Sequence, residues 1–247
     1  MYNSSEDRRL KIERVYGANP KITSVLKAGD WENKSCFIIG GGESVKGLDF
    51  NILKGNLTIG INKTFEYFSE ATINYSMDAK FYENILTKKY NEYDNLDVIE
   101  KWNSFKGLKI FLTPLAPLAF SGVYLVKRNF RKEIFQDLSQ GIYGGNNSCT
   151  GALMLAATLG ANPIYLLGYD FKAENKTHWH TGYPDRNIND FRRKLVSYCR
   201  EISSLVSLFA LNNIKIYNLS SNSLLTKFPF LTLEKALWDC KRKENLS

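Results

Sequence analysis

The sequence predicts an α/β protein with a Rossmann-like, mainly parallel sheet, helices on both faces and an irregular, lid-like insert. Short apolar runs typical of buried strands alternate with stretches of helical pattern, which favours a parallel sheet covered on both sides. Small or polar residues follow nearly every apolar run, as at the carboxyl ends of parallel strands, where ligands bind. A length of 247 residues is sufficient for one such domain.

The first half of the chain begins with a polar N-terminal arm over residues 1–34 and continues with buried strands. The predicted strands of the whole chain are 35–39, 57–61, 71–75, 109–112, 164–167 and 215–219. Charged and aromatic residues interrupt this pattern between about 81 and 140. That segment is predicted to be the insert, and its aromatic rings either pack on the domain or stack on a ligand ring.

The second half of the chain has the clearest helical signals. A helix over 149–159 ends at the glycine and proline residues of 160–163, an expected termination signal. A long amphipathic helix is predicted over 189–211, and short helices run from 224 onward. We therefore expect one α/β domain over 35–238, followed by a basic tail over 239–247.

Composition argues against several classes of protein. The longest apolar runs are far shorter than the roughly 20 residues that a membrane-crossing helix needs. The first nine residues are polar and charged, so no signal peptide is predicted; the expected location is the cytoplasm, with peripheral attachment to the inner membrane surface left open. Four cysteines without CxxC spacing argue against a zinc ribbon or a disulfide framework.

The positive charge of the chain suits a polyanionic partner. The net charge is +8, and basic clusters occur at 127–132, 192–194 and 241–243. Nucleotides, nucleic acid and an acidic membrane surface are all partners of this kind. Solvated helix faces and a basic tail explain the same clusters more simply.

Glycines directly after the first strand are the first candidate for a nucleotide site. Gly40, Gly41, Gly42, Glu43 and Ser44 allow the backbone to approach a ligand and direct N–H groups at an anion. The loop is neither GxGxxG nor a Walker motif, so a structural turn is equally compatible with it.

Polar residues after the other strands extend this candidate site. The predicted nucleotide-binding residues are Gly40, Gly41, Gly42, Ser44, Asn62, Asp78, Thr150, Gly151, Gly168, Tyr169, Asp170, Asn222 and Ser223. Thr150 and Gly151 belong to a second helix start, where Ser148 could also act as an ordinary N-cap. His178 and His180, the only histidines of the sequence, are candidates for a general base or a metal pair, or are exposed loop residues.

Several segments resemble the archaeal 6-hydroxymethylpterin diphosphokinase-like family, which includes motility accessory factors implicated in flagellin glycosylation. These segments are 37–44, 60–63, Asp78, 150–152 and 168–171. The same order is similar to that of bacterial lipooligosaccharide sialyltransferases, which use CMP-sialic acid. The resemblance extends over about 35–238 without the insert.

The resemblance implies roles for individual residues. Five features of the sialyltransferases have counterparts here. The nucleotide loop corresponds to Gly41, the strand-two asparagine to Asn62, and the helix start to Thr150 with Gly151. The catalytic histidine corresponds to His178 or His180, and a late Asn-Ser-Leu-Leu motif to 222–225. This chain has Gly41, Asp78 and Asn147 where the sialyltransferases have two asparagines and an arginine. An acidic Asp78 suits a metal-bound diphosphate better than a CMP monophosphate.

The leading hypothesis is a sialyltransferase-like glycosyltransferase that uses a nucleotide sugar, a glycan acceptor and a histidine base. One alternative is an ATP-dependent diphosphokinase for a small alcohol, with Mg²⁺ held by Asp78 and Asp170. Another is a protein that binds or modifies nucleic acid, which the net charge of +8 suggests. A homo-oligomer is compatible with each of the three.

Overall fold

The computed structural model describes residues 20–78, 95–113, 122–173 and 187–244. The strands are β1 (Cys36–Ile39), β2 (Leu57–Ile61), β3 (Ile73–Ser76), β4 (Leu108–Leu112), β5 (Val123–Val126), β6 (Arg128–Asn129), β7 (Ile142–Tyr143), β8 (Ile164–Leu167) and β9 (Ile216–Asn218). Seven of them form one sheet in the order β5-β4-β3-β2-β1-β8-β9, in which every neighbouring pair is parallel. The short strands β6 and β7 pair with each other. The predicted α/β fold with a mainly parallel sheet is confirmed.

Helices connect these strands. They are α1 (Thr64–Tyr67), α2 (Asn95–Ser104), α3 (Ser148–Thr158), α4 (Ile188–Ser203), α5 (Val206–Leu211) and α6 (Leu233–Glu244). Helix α3 is apolar around its whole circumference and is buried from Thr150 to Thr158. Helix α4 is amphipathic and is buried at Phe191, Cys199 and Ile202. No helix in the described ranges is both long and apolar enough to cross a membrane.

Two apolar cores cover the sheet. Successive residues of β1 alternate between them, with Cys36 and Ile38 in one core and Phe37 and Ile39 in the other. The first core contains α3, and the second contains Ala236 and Cys240 of α6. Because both faces of the sheet are buried, its strands appear in the sequence as continuous apolar runs.

The strand order places a topological switch between β1 and β8. The chain moves outward from β1 to β5 on one side, whereas β8 and β9 lie on the other side of β1. In open parallel sheets a crevice forms at such a switch, outside the carboxyl ends of the two strands. The loops after Ile39 and Leu167 therefore border the expected ligand crevice.

The structure differs from the predicted boundaries in four places. Strands β4 and β5 belong to the main sheet although both lie in the segment expected to be an insert. The expected arm contributes Ile22 and Trp31 to the core, and the backbone N–H of Leu125 donates to the carbonyl of Pro20 at 2.7 Å. The predicted tail boundary falls inside α6, because Cys240 is buried against the second core. The helix expected over 189–211 is divided into α4 and α5 by a turn at Ser204.

Candidate active site

The glycine loop after β1 contacts the end of β8 through its backbone. The N–H of Gly40 donates to the carbonyl of Leu167 at 2.8 Å, and the N–H of Gly42 donates to that of Gly168 at 2.9 Å. A Cβ at either Gly40 or Gly42 would lie 2.7 Å from the Gly168 carbonyl oxygen. Glycine is therefore required at both positions by close packing of two backbones, independently of any ligand.

The carboxylate of Asp170 is bound to the same loop. It accepts hydrogen bonds from the backbone N–H of Ser44 at 2.7 Å and from the Ser44 hydroxyl at 2.5 Å. That hydroxyl also shares a hydrogen bond of 2.9 Å with Ser220. Asp170 is only 3% exposed, so its charge is stabilised mainly by these donors. We call Gly40–Ser44 together with Asp170 the loop bracket.

A third segment, which follows β9, is hydrogen-bonded to the residues after β8. The hydroxyl of Ser223 donates to the carbonyl of Tyr169 at 2.5 Å, and the N–H of Leu224 donates to that of Asp170 at 2.9 Å. Ser223 and Asp170 thus hold each other's segments in place, whereas the neighbouring Asn222 is exposed. The phenol of Tyr169 extends in the other direction and donates to the carbonyl of Cys149 in α3 at 3.0 Å.

Asn62 lies at the carboxyl end of β2 in a left-handed conformation, with φ at 53°. Asparagine tolerates this conformation better than most residues. Its side-chain oxygen accepts from the Ser76 hydroxyl at 2.7 Å and lies 3.5 Å from the Ser148 hydroxyl. Its backbone carbonyl accepts from the Asn74 amide at 3.1 Å. The ends of β2 and β3 and the start of α3 therefore meet at this residue.

Asp78 lies at the margin of the same group. Its backbone N–H donates to the Ser76 hydroxyl at 3.1 Å, and the N–H of Met77 donates to the Ser148 hydroxyl at 3.3 Å. Ser76 and Ser148 were not among the predicted ligand residues. The position of Ser76 at the end of the predicted third strand was the signal that could have identified it.

The start of α3 places Thr150 and Gly151 below the surface. Asn147 is the N-cap; its side-chain oxygen accepts from the Thr150 N–H at 3.0 Å, and its amide donates to the Thr150 hydroxyl at 2.8 Å. Gly151 packs so tightly on Tyr75 that a Cβ would overlap the Tyr75 hydroxyl. The half-exposed residues of this turn are instead Ser148 and Cys149.

Glu201 of α4 fixes the segment that leads into α3. It accepts from the Tyr143 hydroxyl at 2.9 Å and from the backbone N–H of Asn146 at 2.9 Å. Partial burial and the hydrogen bond to Glu201 raise the pKa of Tyr143 to about 12. On the opposite side, the guanidinium of Arg128 donates to the carbonyl of Gly145. The approach to α3 is thus held from two directions.

A small cleft opens beside the loop, and its lining is mainly apolar. It is lined by Ile39, Gly40, Gly41, Phe50, Ile61, Thr64 and Tyr67. Burial, followed by the nearby charge of Glu66, raises the pKa of the Tyr67 phenol to about 12. The accessible volume of this cleft is about 10 Å³, which is the space of roughly one water molecule.

The predicted histidines His178 and His180 lie outside the described residues, so their role stays a prediction. Within residues 20–78, 95–113, 122–173 and 187–244, no group of three or more histidine, cysteine, aspartate or glutamate side chains lies close enough to hold a metal ion. In particular, the Asp170 carboxylate is already bound by Ser44.

Comparisons with known proteins identify similar folds. No family model and no curated protein matches the chain. The solved structure of the MAf glycosyltransferase from Magnetospirillum magneticum AMB-1 is similar with a TM-score of 0.59 and 13% identity, over 97% of this chain and 40% of that one. The chain thus spans less than half of that protein, and the likeness is one of fold.

Two structures of smaller proteins are also similar, at lower TM-scores. The sialyltransferase CstII from Campylobacter jejuni, solved with the substrate analogue CMP-3FNeuAc, gives a TM-score of 0.47 at 22% identity, over 81% of this chain and 86% of that one. The monofunctional α-2,3-sialyltransferase Cst-I from Campylobacter jejuni gives 0.44 at 15% identity, over 80% of each chain.

Proposed function

We propose that this chain is a glycosyltransferase that takes a sugar from a nucleotide donor, with a site of the sialyltransferase type. The observation that carries the proposal is the meeting of polar residues from β1, β2, β3, β8 and α3 at one edge of the sheet. Gly40 contacts Gly168, Asn62 contacts Ser76, and Tyr169 reaches Cys149. The fold likeness to a glycosyltransferase supports the same class of reaction.

The donor is proposed to lie with its base or ribose beside the glycine loop and its phosphate toward α3. The loop is poorly suited to phosphate, because the N–H groups of Gly40, Gly42 and Ser44 already donate to protein oxygens. The Asp170 carboxylate would also repel an anion placed there. Gly41 and Tyr67 are exposed beside the loop, where a base or ribose would contact them, and Asn62 supplies a polar side chain between the two parts.

Transfer requires a base for the acceptor hydroxyl, and we assign that role to His178 or His180. The base removes the hydroxyl proton while the acceptor oxygen bonds to the anomeric carbon and the nucleotide leaves with the bond electrons. Such general-base catalysis contributes about 10²–10⁴-fold in rate. His178→Ala and His180→Ala, made separately, test the assignment: one variant should lose transfer by about that factor and keep nucleotide binding. Transfer that survives both changes would exclude a histidine base.

The donor is identified by a thermal-shift screen with CMP, UDP and ATP, each with and without Mg²⁺. A ligand that binds only the native state raises the unfolding temperature through RT ln(1 + [L]/Kd). Stabilisation by CMP without metal favours the sialyltransferase type, and UDP favours another glycosyltransferase. Stabilisation by ATP only with Mg²⁺ favours the diphosphokinase alternative, which is less supported because Asp170 is bound to Ser44.

A further inference from the structure

The side-chain amide of Asn62 is held by two serine hydroxyls at the carboxyl edge of the sheet. The hydroxyl of Ser76 donates to Oδ1 of Asn62 at 2.7 Å, and the hydroxyl of Ser148 donates to the same oxygen at 3.5 Å. Ser76 is the last residue of β3 and is buried, whereas Ser148 is the first residue of α3 and is half-exposed. Two elements that are distant in the chain therefore orient one amide group.

The direction of these bonds follows from what else the two hydroxyls contact. Each hydroxyl accepts a backbone N–H: Asp78 donates to Ser76 at 3.1 Å, and Met77 donates to Ser148 at 3.3 Å. A serine hydroxyl carries a single proton, which then needs an acceptor of its own. If the Asn62 amide were reversed, the proton of the buried Ser76 hydroxyl would have no acceptor among the described residues. Oδ1 of Asn62 therefore faces the serines.

The backbone of Asn62 is held as well. Its N–H donates to the carbonyl of Tyr75 at 3.0 Å, and its carbonyl accepts from the buried Asn74 amide at 3.1 Å. These bonds keep the residue in its left-handed conformation at a φ of 53°. The side-chain N–H₂ group of Asn62, by contrast, makes no hydrogen bond to a described residue. The amide nitrogen is thus the part of this residue that is left for a ligand.

We propose that Ser76 and Ser148 are positioning residues, which hold the Asn62 amide so that its N–H₂ group donates to an oxygen of the donor nucleotide. This inference rests on the proposed function, since it concerns how the same site holds its donor. A primary amide that could turn would offer either a donor or an acceptor. Once it is fixed, it selects a partner that accepts, such as a ribose hydroxyl or a base carbonyl, and binding has no cost for ordering it.

The first test observes the Asn62 amide by NMR without any ligand. Its N–H₂ signals are identified by their absence in Asn62→Gly, and Ser76→Ala should shift them because the bond to Oδ1 is lost. Ser220→Ala is the matched control and should leave them in place, since Ser220 is also buried at a strand end but contacts Ser44. If Ser76→Ala fails to fold, Ser148→Ala carries the test with a smaller shift. Signals that move in neither variant overturn the proposal.

The second test is a double-mutant cycle on CMP affinity, measured by calorimetry. Ser76→Ala should weaken binding by about fivefold in the wild type but by less than about twofold in Asn62→Gly, because the serine acts only through the amide. Ser148→Ala should weaken it by about twofold, and Ser148→Thr, which keeps the hydroxyl, should restore it. Ser220→Ala should change the affinity by less than about twofold in both backgrounds. Equal losses from Ser76→Ala in the two backgrounds overturn the positioning role.

Further ligands separate this proposal from the proposed function. UDP replaces CMP in the cycle if only UDP binds. A loss in Ser76→Ala with CMP but not with 2′-deoxy-CMP assigns the accepting oxygen to the ribose 2′-hydroxyl, and an equal loss with both assigns it to another oxygen of the nucleotide. Amide signals that shift in Ser76→Ala, without binding of CMP, UDP or ATP, support the orientation of Asn62 and contradict the proposed function. Nucleotide binding without coupling between Ser76 and Asn62 overturns the positioning role and leaves the proposed function intact.

Discussion

The two sides of the candidate site use their helical turns in opposite ways. In the loop bracket, the turn at Glu43–Val45 directs the N–H of Ser44 at a protein carboxylate, that of Asp170. At α3, the N-cap Asn147 satisfies the N–H of Thr150, and the turn leaves Ser148 and Cys149 half-exposed. Both sequences contain glycine and hydroxyl residues before a helical turn, yet only the turn after β1 directs an N–H at the buried carboxylate of Asp170.

This difference shows that a glycine-rich loop is an anion site only when its N–H groups have no acceptor in the protein. Where a buried carboxylate already accepts them, the loop is fixed in shape but has little capacity for phosphate. We therefore expect changes in the loop bracket to act mainly on stability. Changes at Asn62 are expected to act more on binding than on stability.

The largest effect is expected for Asp170→Ala. It removes the acceptor for two donors of Ser44 in a site that is 3% exposed, so the free energy of unfolding should fall by about 3 kcal/mol. Asp170→Asn keeps one acceptor oxygen and should lose about half as much. Urea unfolding measures both. Unchanged stability combined with lost nucleotide binding would instead make Asp170 a ligand residue.

The second-largest loss of stability is expected for Gly42→Ala. A Cβ there would lie 2.5 Å from Cγ of Asp170, so the loop must move and the free energy of unfolding should fall by about 2 kcal/mol. The exposed Gly41 is the matched control, and Gly41→Ala should change stability by less than about 0.5 kcal/mol. Equal losses in the two variants would show that the contact with Asp170 is unimportant.

Asn62→Ala tests the part of the site opposite the loop bracket, where we expect nucleotide binding to change more than stability. The free energy of unfolding should fall by only about 1 kcal/mol, because alanine tolerates the φ of 53° poorly, while nucleotide affinity falls by about tenfold. Asn62→Gly removes the same side chain without the backbone cost, so it should lose less stability than Asn62→Ala and the same affinity. A nucleotide affinity that is unchanged in Asn62→Gly would exclude contact between this side chain and the donor.

The smallest effect concerns pH and Tyr143, which supports the approach to α3. Its folded-state pKa of about 12 exceeds the ordinary value of 10.0, so its contribution to stability is complete below pH 10 and is lost as pH rises toward 12. Tyr143→Phe should therefore lower the free energy of unfolding by about 1 kcal/mol at pH 8. The difference from wild type should shrink as the pH rises above 10. A difference that stays constant up to pH 12 would contradict the bond to Glu201.

The fold was predictable because a sheet that is buried on both faces has strands that appear in the sequence as short apolar runs. Strands β2 and β8 were predicted at their observed boundaries, since both are short, mainly apolar runs that are buried in the sheet. Strand β5 was not predicted, because its four residues stand between an irregular segment and the basic cluster over 127–132. With β5 unrecognised, the cluster over 127–132 was interpreted as a contact for a polyanionic partner or a solvated surface, and not as a segment that follows a strand.

That several predicted site residues lie together at one edge of the sheet was predictable, whereas the hydrogen bonds that they make were not. Asp170, Gly42 and Ser44 were all predicted to bind the nucleotide. In the structure Ser44 donates to Asp170, and Gly42 packs against the same carboxylate while its N–H donates to Gly168. The direction of a carboxylate or an N–H group depends on contacts between distant segments, which no local pattern records. The roles of His178 and His180 stay predictions for a different reason, since both lie outside the described residues.

The bond between Ser44 and Asp170 also has a consequence for the order of folding. The two residues are 126 positions apart, so the loop adopts its shape only after β8 has joined β1. Contacts between such distant residues carry a large loop-closure entropy and form late. A growing chain that has not yet reached Asp170 therefore has a flexible glycine segment, and the site matures only after Asp170 has been synthesised.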